Sequence, residues 1–141
     1  SPYPLPKGEG VRGRRTTLVL DDDEMVLKFM VRALRQEGWE VEAHSIVFDA
    51  LAALKARDFD LVISDFHMPG MNGGEFYRRA VECRPEIAGR FIMVTGTGFL
   101  DAARSFTGPA GVPVLLKPFD LEEFHRVLGM TRARGGKVES T

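Results

Sequence analysis

Apolar runs of this chain repeatedly end in residues that carry charge or a hydroxyl. Leu18-Val19-Leu20 runs into Asp21-Asp22, Leu61-Val62-Ile63-Ser64 into Asp65, Phe91-Ile92-Met93-Val94 into Thr95, and the run from Val112 to Leu116 into Lys117-Pro118. If those ends meet, three carboxylates, a hydroxyl and an ammonium share one site. Carboxylates crowded within a few ångströms repel one another and persist only with a cation or with proton uptake. A hard divalent ion that prefers oxygen ligands, Mg²⁺ above all, resolves that conflict. One carboxylate can then attack phosphorus, because a metal and an ammonium neutralise charge on the transferring group. Lys117 and the Thr95 hydroxyl are the natural oxygen clamps. Each residue alone has a plainer reading. Asp21 to Glu24 suit the first turn of a helix, where acids complement the dipole. Thr95 suits any strand end and Lys117 any solvated surface. Their joint placement at the ends of separate strands favours a site.

The elements that must position these residues follow from periodicity. Thr16 to Leu20 reads as a strand, followed by a helix with Val26, Phe29, Met30, Ala33 and Leu34 at i, i+3, i+4, i+7 and i+8 and Gly38 just beyond it. Trp39 to Ala43 alternates as a second strand. Ser45 is placed to cap a helix whose stripe is Val47, Ala50, Leu51 and Leu54. Leu61 to Ser64 is the third strand. After the turn-rich Met68-Pro69-Gly70-Met71-Asn72-Gly73-Gly74 comes a helix with Phe76, Tyr77, Ala80 and Val81 inward. Phe91 to Val94 is the fourth strand. A short helix with Phe99, Leu100, Ala103 and Phe106 leads to the breaker-rich Gly108-Pro109-Ala110-Gly111. Pro113 lacks an N–H, which places the fifth strand, Val112 to Leu116, at a sheet edge. Asp120-Leu121-Glu122-Glu123 opens a last helix that buries Leu121, Phe124 and Leu128 and closes at Gly129.

This five-fold β-α alternation predicts a parallel sheet with helices on both faces, and right-handed crossovers make it doubly wound. In such α/β folds, ligands bind outside the C-terminal strand ends, where the candidate residues lie.

Length and composition set the frame. At 141 residues the chain fits one domain, expected over residues 15–130. Residues 1–14 hold three prolines, three glycines and three basic residues without apolar periodicity and read as a flexible linker, and residues 131–141 as a similar tail. A net charge of −1 gives no general pull towards nucleic acid or an anionic membrane. Basic residues at the two ends, such as Arg12 and Arg134, read as solvated linker charge. The single cysteine, Cys83, has no internal partner, and no apolar run approaches the ~20 residues of a membrane span, so a reducing, cytoplasmic setting is expected. The start, Ser1-Pro2-Tyr3-Pro4 with no initiator methionine, is what an excised piece of a longer protein would show.

Four segments together resemble the receiver domains of bacterial two-component response regulators and hybrid histidine kinases. They are Leu18 to Glu24, Asp60 to Gly73, Met93-Val94-Thr95-Gly96 and Leu116-Lys117-Pro118-Phe119. The resemblance implies a flavodoxin-like (β/α)5 sheet of order 2-1-3-4-5. It implies Asp65 as phosphoacceptor and Asp22 as a direct Mg²⁺ ligand, with Asp21 acting mostly through water and His67 lending its backbone carbonyl. Thr95 is then the switch hydroxyl beside the small Gly96, Lys117 pairs with a phosphoryl oxygen, and the Lys117–Pro118 bond is cis. The implied partner is a histidine kinase or phosphotransfer domain, without nucleic-acid binding or membrane insertion, and with a homodimer through the last helices left open. The family often carries an aromatic readout residue three positions before the lysine, and here Val114 stands there. The stretch from Thr97 to Pro113 is more similar to receivers of hybrid kinases.

Two other classes compete. An aspartyl-nucleophile phosphatase of the haloacid-dehalogenase kind needs a second acid two residues after the nucleophile, and that position is His67. A receiver-like interaction module that is never phosphorylated usually lacks an acid, the threonine or the lysine, and none is missing here.

Overall fold

The computed structural model describes residues 15–107 and 111–136. The expected ends 1–14 and 137–141 and most of the breaker-rich loop lie outside the described residues, as does the side chain of Phe106. The elements run β1 (Thr16–Leu20), α1 (Glu24–Gln36), β2 (Glu40–His44), α2 (Val47–Ala56), β3 (Leu61–Asp65), α3 (Gly73–Cys83), β4 (Phe91–Thr95), α4 (Leu100–Thr107), β5 (Val114–Leu116) and α5 (Leu121–Gly136), with 3-10 turns at Pro85–Gly89 and Thr97–Phe99. The strands form one sheet of order β2-β1-β3-β4-β5 with every pairing parallel, as expected.

Both faces of the sheet are covered. Val62, Phe76, Phe91 and Met93 belong to one buried cluster with residues of α2, α3 and α4, while Val19, Leu27, Leu34, Ile63 and Phe124 form the other with α1 and α5. This explains why β3 and β4 are buried at every position and read as continuous apolar runs.

Several local expectations are corrected. The buried stripe of α1 is Leu27, Met30, Val31, Ala33 and Leu34. Phe29 is 38% exposed and lies edge-on to Phe119 and Phe124, because a second apolar flank of α1 meets α5 and the loop before it. Strand β2 begins one residue late, at Glu40, and α2 starts after Ile46 with no side-chain cap, so Ser45 does not cap it. Strand β5 starts at Val114, just beyond Pro113, whose carbonyl still accepts the Met93 N–H at 3.0 Å. In α5, Leu121 is exposed and Val127 is buried in its place. The helix runs through Gly129 to Gly136, so residues 131–136 are helical rather than tail. Glycine ends a helix by taking a positive φ. Gly38, Gly70 and Gly111 do so, and Gly129 is not among them.

Candidate phosphoryl-transfer site

Strand register assembles the site. Leu20 stands opposite Ser64, Asp65 opposite Val94, and Thr95 opposite Leu116, so Asp21, Asp65, Thr95 and Lys117 reach the same C-terminal edge of the sheet. Backbone bonds lock this edge: Phe66 N–H donates to Val94 at 2.7 Å and Lys117 N–H to Thr95 at 2.7 Å.

The first loop divides its acids by task. Asp23 caps α1, accepting from Met25 N–H at 3.0 Å and Val26 N–H at 3.3 Å. Capping therefore does not fall to Asp21 or Asp22. Asp21 is fully buried and accepts the Asp23 N–H at 2.9 Å, while Asp22 stays exposed.

The second loop is held by a glycine. Gly73 opens α3 behind the Asn72 cap, and its N–H donates to Phe66 C=O at 2.6 Å. A Cβ on Gly73 would stand 2.7 Å from Phe66 Cα, 2.9 Å from Asp65 O and 2.7 Å from Met93 Sδ. Only glycine lets α3 approach the backbone of Asp65 this closely. The sequence showed a turn-rich loop here but not which glycine the contact needs.

The third loop carries Lys117. Its bond to Pro118 is cis, as the resemblance implies. Phe119 stacks against Phe124 and meets Phe29 edge-on, which ties this loop to α1 and α5.

The side chains converge. Lys117 Nζ lies 3.1 Å from Asp21 Oδ2 and 3.4 Å from Asp65 Oδ2. One carboxylate oxygen from each of Asp21, Asp22 and Asp65 lies within 4.8 Å of the others. Burial pushes the Asp65 carboxyl up to about 6, and repulsion from Asp21 adds to it against the attraction of Lys117. Burial also raises the Asp21 carboxyl, against the Asp23 N–H and Lys117. Burial disfavours the Lys117 ammonium, but Asp21 and Asp65 outweigh it and hold its pKa above the usual value. One ammonium does not balance these acids.

That imbalance fits a hard divalent cation. The Asp21 Oδ2 atom is buried and accepts no hydrogen bond, its Lys117 contact being an ion pair outside hydrogen-bond geometry. An all-oxygen set with an unsatisfied carboxylate oxygen suits Mg²⁺ or Ca²⁺ better than a soft ion.

Thr95 is buried, and its hydroxyl donates to Gly96 C=O at 3.1 Å. His67 is exposed, with its ring stacked on Phe99 at a centroid distance of 4.5 Å. By sequence Phe99 belongs to the stripe of a short helix, and its stack on His67 is not legible there.

Residues 17–129 match the response regulator receiver domain family. The chain belongs to that family. Receiver domains are signalling modules of two-component systems. Among relatives of this receiver domain, the response regulator receiver protein CpdR of Brucella abortus (strain 2308) is 31% identical over 106 residues, covering 75% of this chain and 87% of that protein. Sensor kinase CckA of the same organism is 31% identical over 119 residues, 83% of this chain but 12% of the kinase. The C4-dicarboxylate transport transcriptional regulatory protein DctD of Rhizobium meliloti (strain 1021) is 32% identical over 104 residues, 74% of this chain and 22% of that protein. The receiver domain thus spans most of one relative and a small part of the others, and these relatives include a kinase as well as regulators. A solved response regulator receiver domain from Clostridium thermocellum superposes with a TM-score of 0.77 at 25% identity, covering 88% of this chain and 98% of that one. A CheY-like receiver from Methanospirillum hungatei JF-1 gives 0.76 at 27%, covering 89% and 99%. No helix among the described residues is long and apolar enough to cross a membrane.

Proposed function

We propose that this receiver domain accepts a phosphoryl group on Asp65 from the phosphohistidine of a histidine kinase or phosphotransfer domain, with Mg²⁺ bound, and switches conformation in response. The observation that carries the reading is the convergence on buried Asp65 of the Lys117 ammonium at 3.4 Å and the Asp21 and Asp22 carboxylates within 4.8 Å. Asp21, Asp22 and Asp65, with the His67 backbone carbonyl, would hold the ion. When bound, the ion offsets the charge of the carboxylates and of the transferring group.

The chain's own residues do the rest. An ionised Asp65 oxygen forms the new bond to phosphorus as the donor's N–P bond breaks, and the imidazole leaves with the electron pair. Lys117, already paired with Asp65, stabilises charge on a phosphoryl oxygen. The Thr95 hydroxyl turns from Gly96 C=O to donate to another. The new charge then biases a pre-existing equilibrium, felt through Thr95 and the last two helices. The module acts as a switch in the reducing interior of the cell and not as a turnover enzyme.

The test is labelling by a small phosphodonor such as acetyl phosphate. Labelling is expected to require Mg²⁺ and to vanish in Asp65→Asn. Undiminished labelling of Asp65→Asn overturns the acceptor assignment, and no response to Mg²⁺ with beryllofluoride points to an unphosphorylated interaction module instead.

A further inference from the structure

The phosphoacceptor reading leaves open how this site communicates. Val114, at the position where the family often has an aromatic residue, is half-buried and packed against the core. On the other side of Thr95 an aromatic residue is in place. Phe99 closes the 3-10 turn Thr97–Phe99, and its N–H donates to Gly96 C=O at 3.1 Å. The same carbonyl accepts the Thr95 hydroxyl at 3.1 Å. A carbonyl oxygen has two lone pairs, so Gly96 holds both donors at once.

The ring of Phe99 reaches the acceptor loop. It stacks on His67 with a centroid distance of 4.5 Å and an interplanar angle of 20°, and it lies 6.4 Å from the buried Phe66 ring. Phe66 and His67 directly follow Asp65. Phe99 itself is 41% exposed, so its ring is held by contacts with the acceptor loop rather than by deep burial. One residue therefore touches the carbonyl that retains the Thr95 hydroxyl and the loop that directly follows Asp65.

Resting on the phosphoacceptor reading, we propose that Phe99 is a positioning residue. Its stack on His67 fixes the Gly96 carbonyl that holds the Thr95 hydroxyl, and phosphorylation releases that stack. A hydroxyl has one proton to donate, so bonding a phosphoryl oxygen means leaving Gly96. Gly96 has open space where a Cβ would stand. The turn that then loosens runs directly into α4, which Ala103 anchors in the core. Packed elements of this kind switch between discrete arrangements rather than deform continuously. The signal leaves Asp65 through Phe99 and α4 instead of through the side chain at position 114.

The test is NMR of the whole chain during titration with Mg²⁺ and beryllofluoride, comparing the parent with Phe99→Ala, Phe99→Leu and Val114→Ala. In the parent, the Phe99 ring and the α4 amides are expected to shift together with the Asp65 amide. In both Phe99 variants, Asp65 still responds, the half-saturating beryllofluoride concentration falls about threefold, and the α4 shifts drop below about a third of the parent's. Val114→Ala is expected to keep the parent's α4 response. The proposal is overturned if Phe99→Ala retains the parent's α4 shifts and midpoint, or if Val114→Ala abolishes them. A static Phe99 ring beside a responding Asp65 overturns this relay alone. A parent whose Asp65 amide never responds overturns the phosphoacceptor reading and the relay with it.

Discussion

Lys117 Nζ stands 3.4 Å from Asp65 Oδ2, reaching from the loop after β5 to the end of β3 across the intervening β4. In the proposed reaction this contact supplies positive charge beside the transferred phosphoryl group. Removing it in Lys117→Met is expected to slow labelling by acetyl phosphate about 100-fold at saturating Mg²⁺, the scale seen when a preorganised charge partner is lost. Quench-flow labelling at fixed donor concentration checks this.

Asp65 makes metal-free stability fall as pH rises. Its folded pKa of about 6 exceeds the ordinary 3.8, so between those values the folded state binds more protons than the unfolded state. The cost is absent below pH 3.8 and complete above pH 6. Asp65→Asn removes it, and the variant is expected to exceed the parent by about 2–3 kcal/mol at pH 7 in EDTA, with the gap closing towards pH 4. Urea melts at several pH values measure it, and a gap that widens on acidification contradicts the argument.

Glu42 behaves in the opposite sense. Burial alone would raise its carboxyl, but hydrogen bonds from Arg57 and His44 outweigh burial and hold it below the ordinary value of 4.5. Arg57 Nε donates to Glu42 Oε1 at 2.8 Å, the Arg57 terminal nitrogen reaches the same oxygen, and His44 Nε2 lies 2.8 Å from Oε2. Here the unfolded state binds more protons, so the stabilisation is complete above pH 4.5 and is lost as pH falls through the folded value. Glu42→Gln is expected to cost about 1–2 kcal/mol at pH 7, a cost that shrinks as pH falls below the ordinary value of 4.5. Thermal melts of the pair across that range show whether the difference collapses.

Gly73 tests the close approach of α3 to the end of β3. Two of the three atoms that a Cβ would meet below 3.0 Å are backbone of Asp65 and Phe66. Gly73→Ala is expected to lose about 1–3 kcal/mol and to slow labelling more than Gly89→Ala, whose Cβ would meet nothing within 4 Å. Trimming Met93 as well removes only the third contact, so rescue by Gly73→Ala/Met93→Ala would place the strain in the core instead of at Asp65.

Some of this is legible in the sequence. Apolar runs such as Leu61-Val62-Ile63 can be read as strands because both faces of β3 are covered, and each such run ends in a residue of the site. The alternation of those runs with helical stripes already implied the parallel, doubly wound sheet, since parallel neighbours need crossovers and crossovers are helical. The helix phase was less legible. Apolar residues surround much of α1, and whether Phe29 or Leu27 turns to the sheet depends on where α5 packs, which no local window contains. Gly129 looked like a stop, but a glycine ends a helix only if the chain turns there, and α5 continues through it.

The sequence by itself determined which residues stand at the strand ends, because β-α periodicity is local and the acids, threonine and lysine sit at its boundaries. Only the tertiary structure decided how those residues face one another. Strand register set Lys117 between Asp21 and Asp65, burial raised the Asp65 pKa, and packing between distant loops laid Phe99 on His67. These are consequences of distance and exclusion of water, and both arise only when segments remote in the chain are brought together.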